Sequence, residues 1–392
     1  MNAAVIYEKL APFHVARLEQ AGRLWKARGS TLACIEIAGE QSSYRWPSIP
    51  RSSGEFTLLT LFPKRESGEL AAGEVRQAIK QALEDLDADV IVINGWASSA
   101  SRAALAWCCG RGTPRVVISD SQYIDRPRRF WKESLKRFFV KQCHAGFAGG
   151  SPHVRYLQSL GLPAGSCVVG CDVIDNSFFG AALRRKLENG AGNTPEVMNL
   201  LSCVRLLEIK NIPFVLRTLK RLTIPWKWTI AGDGPERERI SRLLDAPSLR
   251  ERVVMIGRVD YDGIPPVYEA GGVYLQPSVS EPWGLAVNEA MASGLPVLVS
   301  KRCGCREDLI TEGLNGYVFD PTNSDDLARV LNLMWARRSD WREMGLQSSM
   351  LIRFWSLDLF SRSLWRACEI AIQRAAESEG RRTGLDLLWR LV

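Results

Sequence analysis

Hydrophobic positions along the chain fall into two alternating textures. Short β-branched runs appear at AAVIY (3–7), LACIEI (32–37), FTLLTLF (56–62), DVIVIN (89–94) and RVVIS (115–119). Amphipathic segments with helical spacing separate most of them, at 14–28, 73–87 and 99–109. Continuous apolar strands alternating with helices predict parallel sheets covered on both faces. The rhythm restarts with MNLLSC (198–203), KWTIAG (227–232), RVVMIG (252–257), GVYLQP (272–277), PVLVS (296–300) and GYVFD (316–320). Between the two series lies RRKLENGAGNTPE (184–196), whose charge, Gly, Asn and Pro suit an exposed linker. The expected organisation is therefore an N-terminal α/β domain over 1–183, a linker over 184–196 and a second α/β domain over 197–355. Residues 356–392 form the expected closing helix and tail, with Leu359, Phe360, Leu364 and Ile370 at helical spacing.

Ligands of open parallel sheets sit at the carboxyl ends of strands, so chemistry is sought in the loops that follow them. EPWGLAVNEAMASGLPV (281–297) follows the strand GVYLQP and places Glu281 in a loop. Gly284 then opens a helix expected to run to Ser293, Gly294 stops it, and Glu289 lies about a turn inside. The start of a helix offers unpaired amides and a partial positive charge to phosphate. Gly284, Leu285 and Ala286 are the candidate donors, with Trp283 beside them in the same nucleotide-sugar set. Carboxylates next to a phosphate site serve best as acceptors for paired hydroxyls. Phosphate flanked by diols describes a nucleotide sugar.

The stretch resembles the E-x7-E signature, and the EAMASGxPV that follows it, of the retaining glycosyltransferases of family four. That resemblance implies an α/β chain of the GT-B fold, two facing Rossmann-like domains with parallel sheets and a cleft between them. It gives Glu281 the contact to the donor sugar's hydroxyls and Glu289 the grip on the ribose. Arg205 and Lys210, in LLSCVRLLEIKN, are similar to the family's Gly-Arg-Leu and Lys-Gly pair and would stabilise the departing diphosphate. Val204 stands where the family usually has glycine, and Asn211 follows the lysine. IAGDGPERERI (230–240) is similar to the family's strand and Gly-x-Gly turn, read as architecture. MIGRV (255–259) falls where the family recognises the base, which makes Ile256 and Arg258 candidates.

The first domain resembles the family more thinly. APFHVARL (11–18) lacks the paired glycines of many relatives, and the family's N-domain histidine has no counterpart. Asp120 and Ser121 follow RVVIS instead, so Asp120 is the candidate contact to sugar or acceptor. His14 is a candidate in the donor loop, with packing or capping of the first helix as the ordinary alternative. Trp96, after Asn94-Gly95, is a candidate stacking surface or a core residue.

The 392 residues suit two domains, and 46% hydrophobic with 24% charged residues is ordinary globular composition. No apolar run reaches the roughly 18 residues of a membrane helix, and MNAAVIYEKLAPF is too short and polar for a signal peptide. A cytoplasmic protein is expected. Ten scattered cysteines and three histidines match no zinc spacing, so no metal is expected, and no cofactor beyond the donor substrate. A net charge of +8 favours an anionic partner. RPRRFWKESLKRFFVK (126–141) is basic and amphipathic, suiting either an anionic membrane surface at the inner face of the cytoplasmic membrane or a helix packed inward with solvated cations. No nucleic-acid-reading module is present in the sequence.

The resemblance, taken with these features, implies a metal-independent, retaining hexosyltransferase. It would use a UDP- or GDP-linked sugar and a carbohydrate or glycolipid acceptor, in polysaccharide or lipopolysaccharide assembly by family habit. A catalytically silent sugar-nucleotide-binding or membrane-peripheral subunit is the alternative, motivated by the missing histidine and by Val204.

Overall fold

The computed structural model describes residues 1–40, 54–125, 127–188 and 194–378. The chain divides into two compact units. The first comprises Met1–Tyr123, Pro127–Val173 and the chain from Leu357; the second comprises Ile174–Ser356 with Ile124 and Asp125.

In the first unit the strands are β1 (Ala3–Tyr7), β2 (Leu32–Glu40), β3 (Thr57–Glu66), β4 (Val90–Asn94), β5 (Arg115–Ser119), β6 (Ala145–Ala148) and β7 (Cys167–Val169). They form one parallel sheet in the order β3-β2-β1-β4-β5-β6-β7. Every residue of β1 and of β5 is buried, which is why both read as unbroken apolar runs instead of alternating ones. The Ala72–Leu86 helix turns Val75, Ile79, Ala82 and Leu83 inward at three- and four-residue spacing. The closing helix, Leu357–Ser378, packs on this unit through Phe360, whose ring lies 5.2 Å from Phe147, and Trp365, 4.9 Å from Trp25.

In the second unit the strands are β8 (Met198–Cys203), β9 (Trp226–Ala231), β10 (Val253–Gly257), β11 (Val273–Gln276), β12 (Val297–Ser300) and β13 (Gly316–Phe319). Their order is β10-β9-β8-β11-β12-β13, again parallel throughout. Both sheets are doubly wound. Strand order reverses between β1 and β4 in the first and between β8 and β11 in the second, and such switch points open a crevice at the carboxyl edge.

Two expectations change. β6 and β7 were not foreseen, because Ala-Gly-Phe-Ala and Cys-Val-Val are too short to show a period. The division between units falls at Val173 and Ile174, not within 184–196. Arg184 and Arg185 continue the Asn176–Glu188 helix, which belongs to the second unit: Arg185 pairs with Glu269 at 2.5 Å, and Leu183 lies against Gly294. Charge and glycine suggested a boundary in that stretch, whereas the division falls at the buried apolar residues Val173 and Ile174. Linker residues 189–193, tail residues 379–392 and Arg126 of the basic stretch lie outside the described residues. Among the described residues no helix is long and apolar enough to cross a membrane.

Candidate functional site

The β8 loop passes Arg205 and tightens into a 3₁₀ turn, Glu208–Lys210. Asn211 follows at φ 60° and ψ 27° and caps the Ile212–Leu219 helix. A left-handed residue here calls for glycine, or for asparagine as the best-tolerated side chain. Asn211 adds a hydrogen bond from Nδ2 to the Pro321 carbonyl at 2.9 Å. Behind the loop runs the turn after β9. A Cβ at Gly232 would meet the Val204 carbonyl oxygen at 1.9 Å, and one at Gly234 the Leu206 carbonyl oxygen at 2.5 Å. The glycines thus let the two backbones touch and set the height at which Arg205 leaves the loop. The extra bulk of Val204 itself is absorbed by burial, at 7% exposure.

Across the switch point, the β11 loop delivers Glu281. Its Oε2 accepts hydrogen bonds from Gln276 Nε2 at 2.9 Å and Ser278 Oγ at 2.9 Å, and also pairs with Lys210 Nζ. The Tyr274 hydroxyl steadies Gln276 at 2.6 Å. The backbone is clamped as well, with Gly304 N–H on the Glu281 carbonyl at 3.0 Å and Cys305 N–H on that of Trp283 at 3.1 Å. Two expected residues from separate loops, Lys210 and Glu281, are therefore in contact. Gln276 and Ser278, both buried, were missed. Two polar groups at the end of a buried strand, leading to a glutamate, were the available signal.

Gly284, at φ 108°, caps the Leu285–Ala292 helix. The helix closes as expected: Gly294 N–H bonds the Met291 carbonyl and Leu295 N–H that of Ala290, both at 3.0 Å, the Schellman pattern. In its first turn the amides of Leu285 and Ala286 have no acceptor within the helix. Trp283 is 2% exposed, donates Nε1 to Asn288 Oδ1 at 2.9 Å and packs on Trp355, so its indole is a core group that anchors the loop. Glu289 Oε2 accepts the Tyr268 hydroxyl at 2.7 Å. Burial pushes the Glu289 carboxyl up to about 7, against the lowering effect of the Tyr268 hydrogen bond.

Ile256 and Arg258, at the end of β10, are exposed. β10 is two strands from β8, so they lie about 10 Å along the same edge.

Residues 189–345 match the family model for glycosyl transferases group 1. An uncharacterized glycosyltransferase of Methanocaldococcus jannaschii is 35% identical over 143 residues, 35% of this chain and 35% of that protein. The chain thus spans about a third of the length of the curated relatives it matches first. Among solved structures, sucrose-phosphate synthase from Thermosynechococcus elongatus superposes with a TM-score of 0.73 at 18% identity, covering 93% of this chain and 98% of that one. Anabaena HepE in complex with UDP gives 0.68 at 17%, covering 93% and 99%. The fold is GT-B, with two Rossmann-like α/β domains, and the matches support the group 1 superfamily. Arg205, Lys210, Ile256, Arg258, Glu281 and Glu289 all fall inside the matched segment.

His14 and Asp120 belong to the first unit. His14 Nδ1 accepts the Ala11 N–H at 3.0 Å, and its ring lies 4.5 Å from that of Tyr7. Burial and the nearby Arg17 hold its pKa well below the ordinary value, so a neutral ring caps the Pro12–Ala27 helix. Asp120 is exposed just after β5, at the carboxyl edge of its own sheet. Trp96 packs partly buried, its ring 6.3 Å from that of Tyr156.

Proposed function

We propose that the chain is a retaining, metal-independent glycosyltransferase that moves a hexosyl group from a UDP- or GDP-linked sugar to a carbohydrate or glycolipid acceptor. The observation that carries the reading is the contact of Lys210 with Glu281 across the β8/β11 switch point, beside the Gly284 helix start. A cation, a carboxylate and free helix amides at one crevice suit a diphosphate and a polyhydroxyl group together. The match of residues 189–345, and a structural neighbour described in complex with UDP, support the donor class.

In this reading Arg205, Lys210 and the amides at Leu285 and Ala286 stabilise charge on the departing diphosphate. Glu281, held by Gln276 and Ser278, orients the sugar hydroxyls, and ionised Glu289 accepts from the ribose. Retention follows if the acceptor enters on the face the diphosphate leaves, with a phosphate oxygen taking the acceptor's proton. Polysaccharide or lipopolysaccharide assembly is the setting we infer, in the cytoplasm.

The test is purified protein screened by thermal shift against nucleoside diphosphates and their sugars, followed by product analysis with chelator present. A bound ligand raises the melting temperature by mass action. Binding without transfer or donor hydrolysis would leave a silent sugar-nucleotide-binding subunit. Binding of none would end the reading.

A further inference from the structure

The Phe130–Lys141 helix is inverted relative to an ordinary surface helix. Phe139 and Val140 are buried, yet Phe130 is 89%, Leu135 63% and Trp131 55% exposed, with Phe138 at 39%. Trp131, Leu135 and Phe138 recur at four and three residues, so they form one stripe along the outward face. Lys132, Arg137 and Lys141 are exposed around it. The helix's one acid, Glu133, faces inward, accepting from Arg128 at 3.1 Å, Lys136 at 2.8 Å and the Tyr156 hydroxyl at 2.8 Å. The outward surface is thus apolar at its centre, cationic at its margins and without an uncompensated acid.

We infer that this face docks on an anionic lipid surface, with the Trp131–Leu135–Phe138 stripe seated at the headgroup level and Lys132, Arg137 and Lys141 on lipid phosphates. A second protein would have to supply both an apolar groove and an acidic rim. A bilayer containing anionic lipid supplies both everywhere, and an interfacial helix needs this distribution of Trp, Leu, Phe and cations. Contiguous exposed aromatics are otherwise a liability for a chain in water. The inference rests on the first unit alone and is independent of the sugar-transfer reading.

Co-sedimentation with vesicles of mixed phosphatidylcholine and phosphatidylglycerol, against pure phosphatidylcholine, tests it. The wild type should pellet with the anionic vesicles at low salt and much less at high salt. K132E/R137E/K141E should weaken partitioning on the order of 100-fold. W131S/L135S should weaken it about tenfold or more, because the stripe contributes buried apolar area. These side chains are exposed, so both variants should keep the wild-type melting temperature. A wild type that ignores anionic vesicles at low salt overturns the inference, as does binding untouched by W131S/L135S. Sedimentation without lipid as a dimer that W131S/L135S dissociates would assign the face to a second copy and also overturn it.

Discussion

The Tyr268 hydroxyl donates a 2.7 Å hydrogen bond to Glu289 Oε2 in the second unit. Burial nonetheless dominates, and the carboxyl titrates at about 7. If ionised Glu289 receives the ribose hydroxyls, nucleoside diphosphate affinity should rise with pH across that value. Calorimetry with UDP should show roughly tenfold tighter binding one pH unit above than one unit below. Glu289→Gln should flatten the profile, which separates the effect from titration of the phosphate itself. An identical slope in both proteins would remove Glu289 from the binding event.

The same carboxyl bears on stability. An unfolded glutamate titrates near 4.3, and Glu289 at about 7 when folded. Between those values the native state holds a proton that the unfolded chain has lost, so stability falls as pH rises through the window. Above it the cost is fully present, on the order of 3–4 kcal/mol. Glu289→Gln should therefore melt higher than the wild type near pH 8 and gain little near pH 4, as scanning calorimetry at the two values would show. Equal gains at both would mean that packing, not ionisation, is responsible.

The strands most legible in the sequence are those whose neighbours cover both faces. AAVIY and RVVIS were bounded to the residue, because complete burial leaves little but apolar positions, and MNLLSC was too, although Asn199 is exposed. β6 contains glycine and two alanines, and only its place between β5 and β7 makes it a strand. At the site, Glu281, Glu289 and Lys210 could be named from spacing and resemblance. Gln276 and Ser278, close to Glu281 in the chain, left only the signal of two polar groups ending a buried strand, and Tyr268 left none, since tertiary packing creates its contact with Glu289. Trp283 illustrates the converse: a conspicuous aromatic in the candidate donor loop has its ring enclosed by the core. Asn211 was visible only as a departure from a familiar pair, and its left-handed backbone explains why it is tolerated.

Replacing Arg205 or Lys210 with Ala should lower turnover by about two to three orders of magnitude, the usual loss when one donor to developing negative charge is removed. The Lys210 variant carries a second consequence, because it removes the ammonium that pairs with Glu281 beside Gln276 and Ser278. It should therefore raise the sugar-donor KM as well as lower kcat, whereas Arg205→Ala should act mainly on kcat. Steady-state kinetics with each variant distinguish the two patterns, and full activity in both would exclude the diphosphate site. Chelator should leave all rates unchanged; a strict need for magnesium or manganese would contradict the metal-free reading.

Glu281 and Glu289 lie in one loop-helix segment but keep different company, and that difference makes their roles separable. Glu281 is tied to Lys210 and two neutral donors, in the crevice where a sugar would meet the diphosphate. Glu289 stands a turn into the helix against Tyr268, with a raised pKa. Glu281→Gln removes the charge that holds Lys210 and frees that ammonium for phosphate, so bare nucleoside diphosphate should bind as well as to the wild type or better. The sugar-bearing donor should bind more weakly, by about 1–3 kcal/mol for the charged hydrogen bonds lost. Glu289→Gln should weaken both ligands alike, since both carry the ribose. Calorimetry with the two ligands on the two variants gives four affinities, and equal losses in all four would refute the division of roles.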